Sequence, residues 1–90
     1  MAQLKDTKSK HRIHRMYLIN ARQKMGLSQY KVEQLSGISR AHYNRIENGV
    51  VTVSVQFRTL KAISIALDIP FEVMWKEESS YQNSIINDFR

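Results

Sequence analysis

Apolar residues return along this chain at helical spacing, in separate stretches divided by glycine, proline or polar runs. From about His11 to Met25, Ile13, Tyr17, Ala21 and Met25 recur every fourth position with Leu18 beside them, which predicts a first amphipathic helix ended by Gly26. Val32 and Leu35 lie three apart and can share the buried face of a second helix, from about Ser28 to Ser36. Gly37 can take the left-handed conformation that stops it, and Ile38 can plug the turn. Ser39 can then cap a third helix running to about Asn48, with Tyr43 and Ile46 inward and Gly49 closing its end. That arrangement leaves Arg40, Ala41, Asn44 and Arg45 turned largely outward. Ser28 and Ser39 suit N-caps, but Lys31 and His42 stand where a full capping box needs Glu or Gln, so both caps are partial.

Beyond Gly49 the segment VVTVSV alternates like a strand but has no second strand to pair with, so residues 50–55 read as an extended apolar loop. Phe57, Leu60, Ile63 and Leu67 mark a fourth helix, broken between Asp68 and Pro70. Pro70 suits the first turn of a fifth helix carrying Phe71, Met74 and Trp75 inward. In the tail, Tyr81, Ile85 and Phe89 sit four apart with Ile86 alongside, a pattern compatible with a sixth short helix. The first ten residues are polar and aperiodic and read as a mobile basic arm. The expected organisation is an all-α chain with an arm over 1–10, one helical domain over 11–75 and a tail over 76–90. With 3 Gly, 1 Pro and no internal repeat, nothing suggests a second domain on a flexible linker.

Charge sharpens this picture. The chain of 90 residues carries a formal net charge of +6, and the excess is loaded toward the N-terminus: net +4 over residues 1–15, +3 over 16–75 and −1 over 76–90. Such a surface attracts polyanions, among which charge alone does not choose. There is no cysteine, hence no disulfide and no thiolate metal site. The longest apolar runs are four residues, so neither a signal peptide nor a membrane span is expected and a cytoplasmic protein is the default. An enzyme would have to be built from His11, His14, His42 and scattered carboxylates, with neither a nucleophile and its base nor a complete metal-ligand set. No catalysis, metal or cofactor is therefore expected.

Two short helices around a glycine turn, with polar side chains outward on the second, form the layout of a DNA-reading helix-turn-helix. RNA readers expose aromatic residues for stacking, whereas Tyr43, Phe57, Phe71 and Trp75 fall on faces assigned to the core. The elements Arg22, Gly26-Leu27-Ser28-Gln29, Gly37-Ile38-Ser39-Arg40 and Arg45-Ile46-Glu47-Asn48-Gly49 together resemble the Cro and phage-repressor family, also called XRE-like, over about residues 11–75. The resemblance implies a five-helix all-α domain that grips double-stranded DNA with its second and third helices, usually as a symmetric dimer.

Carried over by position, Gln29 would bind a phosphate at the N-terminus of the second helix, where the helix dipole favours an anion. Ser39, Arg40, Ala41, Asn44 and Arg45 would face bases. An arginine at 40 or 45 can hold guanine O6 and N7 bidentately, or else a phosphate. Ala41 would read a thymine methyl or only permit close approach. His42 and Asn48 are assigned to phosphate, with Asn48 serving equally well as a helix cap, and Lys10 and Arg12 of the basic segment to the DNA backbone. Arg22 and Glu47 correspond to an ion pair that ties the first helix to the end of the third. Three departures stand out: Glu33 where a small residue is usual, His14 where an aliphatic one is usual, and the apolar loop 50–55. The reading is a sequence-specific transcription regulator, a repressor, acting as a homodimer through Tyr81, Ile85, Ile86 and Phe89. The alternative is a protein-interaction module on the same scaffold. No ligand-sensing domain is visible, so no small-molecule effector is expected.

Overall fold

The computed structural model describes residues 13–50 and 55–88, and over these it is all-α with five helices. They are α1 (Met16–Lys24), α2 (Gln29–Ser36), α3 (Arg40–Glu47), α4 (Phe57–Ala66) and α5 (Phe71–Asp88). The arm with Lys10 and Arg12, loop residues 51–54 and Phe89 lie outside the described residues. Ser28 and Ser39 start α2 and α3, each side-chain oxygen accepting from the backbone N–H three residues on, at Lys31 and His42. Gly37 ends α2 with a left-handed φ of 79°. After α1, α3 and α4 the two residues beyond the C-cap both turn back onto the last helical turn: Gly26 and Leu27, Gly49 and Val50, Asp68 and Ile69. This paired closure satisfies carbonyls that the helix itself leaves open.

α2 packs on α3 and α4, α1 on α3, and α4 on α5. Between them Leu18, Val32, Tyr43, Ile46, Leu60, Ile63 and Met74 form the fully buried centre, with Tyr17, Ala21, Ile38 and Phe71 packed against it. Several faces differ from the periodicity. On α2 the inward line runs from Val32 to Ser36, four apart, which leaves Leu35 half exposed rather than buried beside Val32. Met25, Phe57 and Trp75 are also about half exposed, not core. Trp75 turns out because its neighbour Met74 takes the core position one step before it on the helix.

The largest departure is α5, one helix of 18 residues where a fifth helix and a separate short sixth were expected. Its inward stripe runs Phe71, Met74, Glu78, Tyr81 and Ile85, an unbroken alternation of three and four. Tyr81 and Ile85 are therefore buried in their own subunit and not available as dimer contacts, whereas Ile86 is 54% exposed. Glu78 holds its place in the stripe through Arg15, whose guanidinium is fully buried. Arg15 Nε and Nη2 each donate to the Glu78 carboxylate at 2.9 Å, and Nη1 donates to the Ile46 carbonyl. Tyr17 Oη and Gln82 Nε2 also donate to Glu78, and the Tyr81 ring stacks on the guanidinium at 4.2 Å.

This cluster also sets where α1 begins. The backbone N–H of Arg15 donates to the Glu47 carbonyl and Tyr81 Oη donates to the Ile13 carbonyl, so residues 13–15 run non-helically across the end of α3. Gly49 admits that crossing: its φ is +75°, and a Cβ there would run into the Ile13 carbonyl.

Candidate DNA interface

The exposed face of α3 meets the start of α2 in a shallow concavity of about 580 Å³, lined by Gln29, Glu33, Ser39, Arg40, Ala41, Asn44 and Arg45. Arg40, Ala41 and Arg45 are exposed, and Asn44 lies half-buried between them. Tyr43 and Ile46 on the opposite side of α3 are fully buried. The amphipathic face of this one helix therefore decides which side chains meet a ligand.

A hydrogen-bonded chain braces the site from beneath. Arg22 Nε donates to Glu47 Oε2 at 2.6 Å and its Nη2 to Oε1 at 3.2 Å, while Nη1 holds the Leu27 carbonyl. Glu47 is 2% exposed, so the pair is shielded and links α1 to the last turn of α3. The Glu47 hydrogen bond raises the Arg22 guanidinium above its ordinary value, against some loss of water. Burial first, and the Glu47 carboxylate after it, push the Tyr43 phenol well above its usual range. Gln29 Nε2 donates to Glu47 Oε1, Asn44 Nδ2 donates to Gln29 Oε1, and Asn48 Nδ2 donates to Asn44 Oδ1. The amides of Gln29 and Asn44 are thus oriented before any ligand arrives. Each keeps one N–H free for it.

Of the residues expected at the site, Gln29, Ser39, Arg40, Ala41, Asn44 and Arg45 converge on the concavity. Ser39 commits its hydroxyl to capping α3. His42 is half-buried on α3, and Asn48 is the C-cap of that helix, its side chain engaged with Asn44. Two contributors were not among the expected site residues. Glu33 follows Gln29 by four positions on α2, a spacing that places both on one helix face. Arg15, which reads in the sequence as one more charge near the basic arm, instead supports the end of α3. Its signal is the pair of apolar positions, Ile13 and Tyr17, on either side.

A helix-turn-helix family model matches residues 18–74, which spans α1 to the first turn of α5. The chain belongs to the helix-turn-helix family of Cro and phage-repressor type. No individual curated protein and no solved structure matches it. Members of this helix-turn-helix family are DNA-binding transcription regulators, and double-stranded DNA is the ligand of this domain. Among the described residues, no helix is long and apolar enough to cross a membrane, and no group of three or more His, Cys, Asp or Glu is placed to hold a metal ion.

Proposed function

We propose that this helix-turn-helix protein is a repressor that lays α3 in the major groove and reads a palindromic operator as a twofold dimer. The observation that carries the reading is the stripe Arg40, Ala41, Asn44 and Arg45, presented outward while the Gln29–Asn44–Asn48 amides fix its middle. Arg40 and Arg45 each suit guanine O6 and N7, and Asn44 suits a base edge or a phosphate. Gln29, at the first turn of α2, offers its spare N–H to a phosphate where the helix dipole already favours an anion. His42 extends the backbone contacts, as do Lys10 and Arg12.

The dimer surface is an exposed aromatic patch on α4 and α5. Phe57 and Phe71 have ring centroids 4.8 Å apart, with Trp75 6.1 Å from Phe71, around a concavity of about 590 Å³. Phe57 is 59% and Trp75 52% exposed, which leaves two large rings in water unless another surface covers them. Ile86, also exposed, lies farther along α5 beyond the polar Ser79 and Asn83.

Selection of binding sites from a randomised duplex library tests DNA reading and symmetry together. The expected product is a palindrome with half-site centres ~34 Å apart or a multiple of it. Failure to enrich any duplex would overturn the reading. It would favour a protein-interaction module, for which the same aromatic patch is the specific observation.

A further inference from the structure

Glu33 places a carboxylate in the concavity proposed to face DNA, and the described residues give it no partner. It leaves α2 on the same face as Gln29 and lines the concavity with Arg40, Ala41 and Arg45. Glu33 is half-buried, whereas Arg40 and Ala41 on the other side of the concavity are exposed. Among the described residues no hydrogen bond or ion pair engages its side chain. Gln29, the neighbour one turn earlier, directs its own amide to Glu47 and Asn44 instead.

Docking of a duplex would strip water from this concavity, and a charge that loses water without gaining a partner is costly. With Arg40 and Arg45, the other charged groups of the concavity, committed to the bases they read, the donor comes from the DNA. Phosphate oxygens, guanine O6 and N7 and thymine O4 are all acceptors and repel a carboxylate; in the major groove only cytosine N4 and adenine N6 donate. Adenine sets its amino group beside the N7 acceptor, whereas cytosine presents its amino group alone. An ionised carboxylate accepts and does not donate, so cytosine is the better match. Ala41 keeps the approach open with a single methyl group, and Arg40 in the same concavity can hold the guanine of that base pair or of an adjoining one.

We infer that Glu33 is a specificity-determining residue that selects a cytosine in each half-site by accepting a hydrogen bond from its N4 amino group. The inference rests on the proposed placement of α3 in the major groove. Any duplex without an amino group at that position meets an unpartnered carboxylate, so the residue acts as much by exclusion as by attraction.

The test is the randomised-duplex selection run in parallel on the full chain, Glu33→Ala and Glu33→Gln, with thermal melts to verify that each variant is folded. Alanine is the better helix former, and glutamine keeps the shape, so at least one variant retains α2. The wild-type site should carry cytosine at one position per half-site, and Glu33→Ala should relax that position by about fivefold or more while the guanine positions hold. Glu33→Gln, whose amide both donates and accepts, should move the preference toward adenine. Identical sites for wild type and variants, or a loss confined to guanine positions, would overturn the role of Glu33 and leave the α3 reading intact. No enriched site for the wild type would overturn both.

Discussion

Arg15 and Glu78 stand 63 positions apart in the chain and 2.9 Å apart in the fold, the guanidinium fully buried and the carboxylate nearly so. Removing one partner strands the other charge out of water, and Arg15→Ala should cost ~3–5 kcal/mol of unfolding free energy. Replacing both by apolar residues of similar volume, as in Arg15→Met with Glu78→Leu, should recover most of that loss. Denaturant titration of the two singles and the double checks it; additive losses in the double would mean the pair is not the unit of stability.

The same cluster gives a direction to acid sensitivity. Burial works to raise Glu78, but hydrogen bonds from Arg15, Tyr17 and Gln82 outweigh it and hold the carboxyl below its ordinary value of 4.5. Below about pH 4.5 the unfolded chain therefore binds the proton more readily than the folded one. The contribution is complete above that value and is lost as pH falls through the lower folded value. Melting temperature should fall on acidification below pH 4.5, and Glu78→Gln should blunt that fall. An equal acid response in wild type and variant would assign it to other carboxylates.

Gly37 and Gly49 share a left-handed backbone but not a neighbourhood. A Cβ at Gly37 meets nothing within 4 Å, so Gly37→Ala should cost only the conformational penalty of ~1–2 kcal/mol. At Gly49 the same methyl runs into the Ile13 carbonyl, so Gly49→Ala should cost more and should loosen residues 13–15 from the end of α3. Equal melting temperatures for the two variants would contradict the close approach of Ile13.

These contrasts show what the sequence could carry. Ser28, Ser39, Gly37 and Gly49 were legible because caps and left-handed stops are settled within four residues of themselves. The outward face of α3 was legible for the same reason, since Tyr43 and Ile46, three apart, fix the inward side of the helix and so the side left to Arg40, Ala41, Asn44 and Arg45. The unity of α5 was not. Glu78 interrupts its apolar stripe, and the residue that makes a buried carboxylate acceptable lies at the other end of the chain. Nor does spacing along α2 and α3 reveal that Gln29 reaches Asn44, because that depends on how the two helices cross. Leu35 and Trp75 each lie one step off an inward line, a rotation that apolar character alone does not resolve.

Arg40 is exposed on α3, so its removal should leave the fold alone and affect only binding. Arg40→Ala should weaken operator affinity by ~1–3 kcal/mol and relax one base position in a randomised-site selection. A loss of affinity that is uniform across sequences, with a salt dependence shallower by ~0.9 log units per log unit, would make it a phosphate contact instead.

Trp75 offers a separate handle on assembly. It is 52% exposed, so Trp75→Glu forfeits only the packed half of the side chain, about 1–2 kcal/mol of unfolding free energy. In sedimentation equilibrium the wild type should associate with rising concentration and the variant should remain monomeric. A wild type that stays monomeric and binds DNA as a single copy would count against the aromatic patch as a dimer surface.

The crossing of residues 13–15 over the end of α3 joins the start of α1 to α3 and α5 at one point. Arg15 touches α3 through the Ile46 and Glu47 carbonyls and α5 through the Glu78 carboxylate, so detaching α5 strands a guanidinium and a carboxylate, and detaching α3 costs two hydrogen bonds. α3 and α5 are thereby tied to each other through one side chain that belongs to neither.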